Sequence, residues 1–180
     1  MAENKVRFGL KNVHYAIYDG SAWGTPVSIP GAVSLDLSAE GDLTKFYGDN
    51  IVYYSTYADN GYSGSLEIAR IPDQMYQDVW GYTQDGTSKV ITENSSVEPA
   101  VFALLYQIDG DANNECFVLY SCTASRPNIG SSTIEDTKEP QTQSMDITAV
   151  PMTDGKVMAR TTADTPAATK TGWFASVYTA

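Results

Sequence analysis

Positive charge is scarce in this chain. Eleven Lys and Arg stand against 22 Asp and Glu, a formal net charge of −11 over 180 residues, and no basic run occurs anywhere. Gripping a phosphate backbone takes clustered Lys and Arg, because counterion release supplies most of that affinity. Anionic lipid makes the same demand. The balance excludes both kinds of docking, and acidity on this scale also favours solubility.

Histidine is nearly absent. His14 stands alone between Val13 and Tyr15. A hydrolytic triad needs its histidine held by a carboxylate and set beside a nucleophile, and nothing around His14 marks such a partner. One His and two badly spaced Cys do not make a zinc site. Glycine-rich phosphate loops are missing. Asp109-Gly110-Asp111 resembles the start of a calcium loop but lacks the later spaced ligands and the closing Glu, so it reads as a hairpin turn. Glu135, Asp136 and Glu139 sit in a polar loop, without the apolar setting that raises the pKa of a glycosidase acid. The expectation is a protein that is not an enzyme, with no catalytic, cofactor-binding or metal residues and no cofactor.

Long apolar runs are lacking too. The longest, residues 99–106, is far short of the roughly 20 residues of a spanning helix. The N-terminal Met-Ala-Glu-Asn-Lys-Val-Arg carries no apolar signal core. Synthesis in a cytoplasm, with no membrane partner, is expected. The two cysteines, Cys116 and Cys122, share one apolar run. On a strand they would stand about 20 Å apart at ~3.3 Å per residue, too far for a disulfide, which needs Cα atoms within about 7 Å. Their even spacing predicts two small buried hydrophobes on one face.

What the sequence has in plenty is β pattern. Val6, Phe8 and Leu10 alternate with polar residues, as do Val13, Tyr15 and Ile17, then Val33, Leu35 and Leu37, then Leu66 and Ile68. The 12 tyrosines fall among Val, Ile and Thr, the residues that suit a pleated surface. Turn dipeptides punctuate the runs: Asp19-Gly20, Pro30-Gly31, Asn60-Gly61, Asp85-Gly86, Asp109-Gly110 and Asp154-Gly155. One segment departs from this. Residues 72–81 open on Pro-Asp and close on Gly, with Met75, Tyr76, Val79 and Trp80 on one helical face. They predict a short amphipathic helix lying across a sheet. Residues 163–170 predict a surface loop before a final strand at 173–178.

Residues 100–108 and 116–122 are apolar without alternation, so both faces of those strands are covered. One cover is the other sheet of a sandwich. The second is the helix or a neighbouring copy of the protein. Residues 39–60 mix Glu40, Asp42, Lys45, Asp49 and Asp59 with Phe46, Tyr47, Tyr53, Tyr54 and Tyr57. That is too aromatic for an idle loop and too polar for a core, and it predicts a long hairpin projecting from the body that orders on assembly. The length supports a single domain over residues 1–180.

Residues 31–81 carry a family resemblance. They read Gly-Ala-Val-Ser-Leu-Asp-Leu-Ser-Ala-Glu-Gly, then Phe46-Tyr47-Gly-Asp49-Asn50, then Asn60-Gly61-Tyr-Ser-Gly-Ser-Leu66-Glu67, then Ile71-Pro72, ending at Trp80-Gly81. With residues 5–18 before them and residues 135–150 and the Asp154-Gly155 turn after, this order resembles the major tail protein family of siphophages, the phages with long non-contractile tails, especially those that infect Gram-positive bacteria. The resemblance implies a mainly β fold of two packed antiparallel sheets, sandwich- or barrel-like, with one short flanking α-helix and a long projecting hairpin. It implies hexameric rings whose inner strands close into one barrel, stacked into a virion tail tube that conducts DNA without binding it. Phe46, Tyr47, Tyr53 and Tyr54 become candidate inter-ring contacts. The implied partners are further copies, a tape-measure protein, and tail terminator or distal tail proteins. The immunoglobulin-like C-terminal domain of some relatives is not expected. The competing expectation is a Tyr- and Trp-rich β-sandwich that binds carbohydrate or a receptor.

Overall fold

The computed structural model describes residues 6–110, 114–133 and 140–179. Asp111 of the calcium-like turn and the loop acids Glu135, Asp136 and Glu139 lie outside the described residues. In chain order the elements are β1 (Gly9–Ile17), β2 (Val27–Ser28), β3 (Ala32–Gly48), β4 (Ile51–Ile68), α1 (Asp73–Trp80), β5 (Thr83–Gln84), β6 (Ile91–Thr92), β7 (Phe102–Asp109), β8 (Cys116–Ala124), β9 (Gln143–Val150), β10 (Met158–Arg160) and α2 (Ala167–Gly172).

Eight strands form one antiparallel sheet in the order β2-β1-β7-β8-β9-β4-β3, with β10 paired to β8, while β5 and β6 make a small sheet of their own. The large sheet bends over itself. Val13, Tyr15, Phe102, Leu104, Phe117 and Leu119 from one half share a buried cluster with Leu66, Ile68, Met145 and Ile147 from the other. This mainly β, sandwich-like packing with short helices is the fold class that the period-two patterning predicts. No helix among the described residues is long and apolar enough to cross a membrane.

Helix α1 occupies the segment predicted for it. Pro72 stands at the N-cap, and Gly81 ends the helix with φ 65°, a left-handed value that glycine takes without a steric penalty. Met75, Val79 and Trp80 enter the core. Two side-chain hydrogen bonds fix the helix: Tyr15 Oη donates to Asp78 Oδ2 at 2.7 Å, and Trp80 Nε1 donates to the Ala124 carbonyl at 3.2 Å. A buried Trp–carbonyl bond satisfies the one polar atom of a large apolar ring.

Strands β7 and β8 are covered on both faces by this chain alone. Their inner residues join the main cluster. On the outer face Leu105, Val118 and Tyr120 pack against Trp173 and Val177 from the C-terminal segment. No neighbouring copy is needed there. That segment is not the expected strand. Helix α2 replaces part of the expected loop, and residues 173–178 run on as turn and irregular backbone. Trp173 seats by side chain instead of by a ladder, donating Nε1 to the Phe117 carbonyl at 3.2 Å and stacking on Tyr178 at 5.3 Å.

Two further expectations are corrected by β-bulges. Cys122 lies in the inner cluster and Cys116 in the outer one, so they occupy opposite faces. The register steps from Phe102↔Cys122 to Leu104↔Leu119, which puts one extra residue in β8 and reverses the side-chain parity between the cysteines. Both remain buried and free. Asn60-Gly61 is not a turn either. It lies inside β4, opposite Glu40, at another register shift.

Candidate assembly surface

Strands β3 and β4 form an antiparallel hairpin of 17 and 18 residues. Only its base belongs to the body. There β4 pairs with β9 from Tyr62↔Ala149 to Ile68↔Gln143, and Leu35 and Leu37 of β3 pack on the core. Among the described residues, the two strands pair only with each other beyond Gly41 and Asp59. The result is a two-stranded ribbon with both edges and both faces open, and its regular pairing is present in the single chain. The turn at its tip is Asp49-Asn50, with φ of 50° and 62°, the left-handed pair that a two-residue hairpin loop requires.

The four aromatics singled out from sequence all stand on this ribbon, between 61% and 75% exposed. They do not share a face. Residues directly opposite in a ladder project to the same side. Phe46↔Tyr54 and Gly48↔Ile51 lie on one side, and Leu43↔Tyr57 and Tyr47↔Val52 on the other. The register shift at Phe46/Tyr47 leaves Tyr53 without a ladder partner, and its ring meets Phe46 edge-on at 6.5 Å. Phe46, Tyr53, Tyr54 and Ile51 thus make one apolar face, and Tyr47 joins Leu43, Val52 and Tyr57 on the reverse. Sequence reasoning missed Leu43, Ile51 and Val52, and placed Tyr57 on the hairpin without counting it among the candidate contacts. With the turn placed at Asp49-Asn50, cross-strand pairing assigns Ile51 and Val52, but Leu43↔Tyr57 also requires the bulge at Tyr53, which no local pattern marks. Tyr57 also explains Gly41, because a Cβ at Gly41 would stand 2.1 Å from the Tyr57 hydroxyl oxygen.

The broad outward face of the body has the opposite chemistry. Ser34, Asp36 and Ser38 of β3 pair with outward Glu67, Ser65 and Ser63 of β4, and Glu40 extends this face opposite the buried Gly61. Ser144, Asp146 and Thr148 of β9 continue the surface, and Thr123 of β8 lies opposite Thr148. These positions hold hydroxyls and carboxylates, and none holds Lys or Arg. Some of the carboxylates are tied down locally. Glu67 accepts from Thr142 Oγ1 at 2.5 Å and Ser34 Oγ at 2.9 Å, and these hydroxyls, Thr142 first, hold its carboxyl below the usual range. Ser63 donates to Glu40.

The residues considered for chemistry fall elsewhere. His14 is partly buried on β1, with Nδ1 2.8 Å from the Asn12 carbonyl oxygen and its ring stacked on Phe174 at 4.9 Å. These are packing contacts. Asp109 forms an ion pair with Lys11, which holds its carboxyl low. Burial pushes the Cys122 thiol up to about 12 and raises that of Cys116, the state of an inert core cysteine. Among the described residues no group of three or more His, Cys, Asp or Glu could hold a metal ion. No protein-family model matches this sequence, and no curated protein matches it.

Proposed function

We propose that the chain is a self-assembling structural subunit, the building block of a phage tail tube. Copies form hexameric rings, the ribbon joins each ring to the next, and the stacked tube conducts DNA. The observation that carries this reading is the ribbon itself: eight large apolar side chains on two faces, held clear of the body and open to water. Exposed apolar patches of this kind mark interaction sites or aggregation liabilities. Aromatics are favoured anchors at protein interfaces. A ribbon apolar on both sides calls for cover on both sides, and repeated copies of one chain supply that through heterologous contacts.

The outward Ser/Thr/Asp/Glu face supports the same reading. Duplex DNA carries about one charge per 1.7 Å of its axis. A wall of hydroxyls and carboxylates without a cation repels that charge and leaves the duplex free to slide. In this reading Asp36, Glu40, Glu67 and Asp146 line the passage. The tape-measure protein shares the lumen, terminator or distal tail proteins close the ends, and the assembly resides in the virion after forming in the host cytoplasm. The rival reading, a carbohydrate- or receptor-binding module, is less well supported, because its usual tool is a flat aromatic platform and here the broad face is aromatic-free. Sedimentation velocity over a wide concentration range, run beside a glycan-binding screen, separates the two. Concentration-dependent growth into large particles with no glycan bound is the expected result. A monomer at every concentration that captures a glycan would overturn the proposal.

A further inference from the structure

Where the ribbon leaves the body, the hairpin is irregular at one point. Glu40 pairs with Gly61 but Gly41 pairs with Asp59, so Asn60 is an extra residue in β4 with no ladder partner. An extra residue on one strand bends that strand and sharpens its twist. Several features fix this bend in place. Gly61 has φ +98°, and a Cβ there would stand 1.9 Å from the Ala149 carbonyl oxygen, so only glycine fits against β9. Asp59 Oδ1 accepts the Gly61 N–H at 2.9 Å. Asn60 Nδ2 donates to Asp42 Oδ2 at 3.3 Å, across to β3. The bulge also sits at the last β4–β9 pair, Tyr62↔Ala149. Everything beyond it is free ribbon and everything before it is body.

We infer that the Asn60–Gly61 bulge is a positioning device that sets the direction in which the ribbon leaves the body, and so decides whether its two apolar faces meet their partners. The inference rests on the proposed assembly role of the ribbon. A lever anchored at one bulge turns as a unit when the bulge is removed. Its own cross-strand pairs do not change: without Asn60, Glu40 still opposes Gly61 and Gly41 still opposes Asp59, now in an unbroken ladder. Deletion of Asn60 therefore alters aim while leaving the ribbon's surface intact. Asn60→Ala keeps the extra residue and gives up only one exposed hydrogen bond.

The test uses the full chain at high dilution, with spin labels at Thr56→Cys on the ribbon and Thr123→Cys on the body, both exposed positions. The native cysteines are buried and leave the labels specific. Deleting Asn60 is expected to shift the label-to-label distance by several ångströms, and Asn60→Ala is expected to leave it in place. At concentrations where the parent chain assembles, the unlabelled deletion variant should stay folded and unassembled while Asn60→Ala assembles. An unchanged distance, or normal assembly by the deletion variant, overturns the inference. If the deletion variant does not fold, inserting a glycine between Glu40 and Gly41 gives Asn60 a partner and removes the bulge from the other strand. Because it also turns the ribbon's faces over relative to the body, only the label-to-label distance is read from it, and an unchanged distance overturns the inference. Absence of assembly by the parent chain would instead count against the tube reading, and the distance measurement would still decide whether the bulge aims the ribbon.

Discussion

Replacing Phe46 and Tyr47 with alanine removes one anchor from each face of the ribbon, and its cost to the folded subunit follows from what those rings touch. Phe46 opposes Tyr54 and meets Tyr53 edge-on, and Tyr47 opposes Val52. Cross-strand pairs contribute about 0.2–1 kcal/mol each, and an edge-on aromatic contact about 0.5–1.5 kcal/mol. The whole loss is thus about 1–3.5 kcal/mol, confined to a ribbon that carries no core residue. Loss in an uncoupled segment appears as local fraying before it reaches global unfolding. Urea denaturation followed by tryptophan fluorescence reads the body, because Trp23, Trp80 and Trp173 all lie there. The stability so measured should fall by no more than about 1 kcal/mol, a midpoint shift below roughly 0.5 M urea for a slope of about 2 kcal/mol/M. Trp80→Ala is the reference, since truncating a buried Trp costs about 3–5 kcal/mol. A fall on the Trp80→Ala scale in the double variant would show that the ribbon rings support the core, and the separation between ribbon and body would be wrong.

Trp173→Ala should cost about 3–5 kcal/mol, because it uncovers the outer apolar face of β7 and β8; an unchanged thermal midpoint would mean the C-terminal segment does not cover that face in solution. Hydrogen bonds or ion pairs hold the carboxyls of Asp19, Glu67, Asp85, Asp109 and Asp154 below their ordinary values. A lowered folded-state pKa gives stability that is complete above the unfolded value of about 4 and is lost as pH falls through the folded values. Melting temperature measured across the acid range should accordingly hold down to about pH 5 and decline below pH 4, and a flat profile to pH 2 would refute the linkage.

The parts of the fold legible in sequence were those set by local chemistry. The Pro72–Gly81 frame with its apolar spacing located α1, and period-two alternation located the strands. The mixed aromatic and acidic stretch located the projecting hairpin. The parts that were not legible turn on register, which is a long-range property. Asn60-Gly61 tolerates left-handed backbone, so it suits a tight turn or a bulge equally; its pairing with β9 makes it a bulge here, and the turn falls eleven residues earlier at a dipeptide without glycine. A second bulge in β8 reverses the parity that even spacing implies for Cys116 and Cys122. The division of the ribbon aromatics into two faces was hidden for the same reason, because it depends on where the turn lies and on the bulge at Tyr53. The outer cover of β7 and β8 comes from a segment more than fifty residues downstream of β7, which no local pattern announces.

The most direct test of the central claim is electron microscopy of the purified chain at high concentration, imaged beside the Phe46→Ala, Tyr47→Ala variant. Rings and stacked tubes are expected from the parent chain, and folded subunits that do not elongate from the variant. Isolated subunits from the parent chain at every concentration, or tubes of ordinary length from the variant, would contradict it.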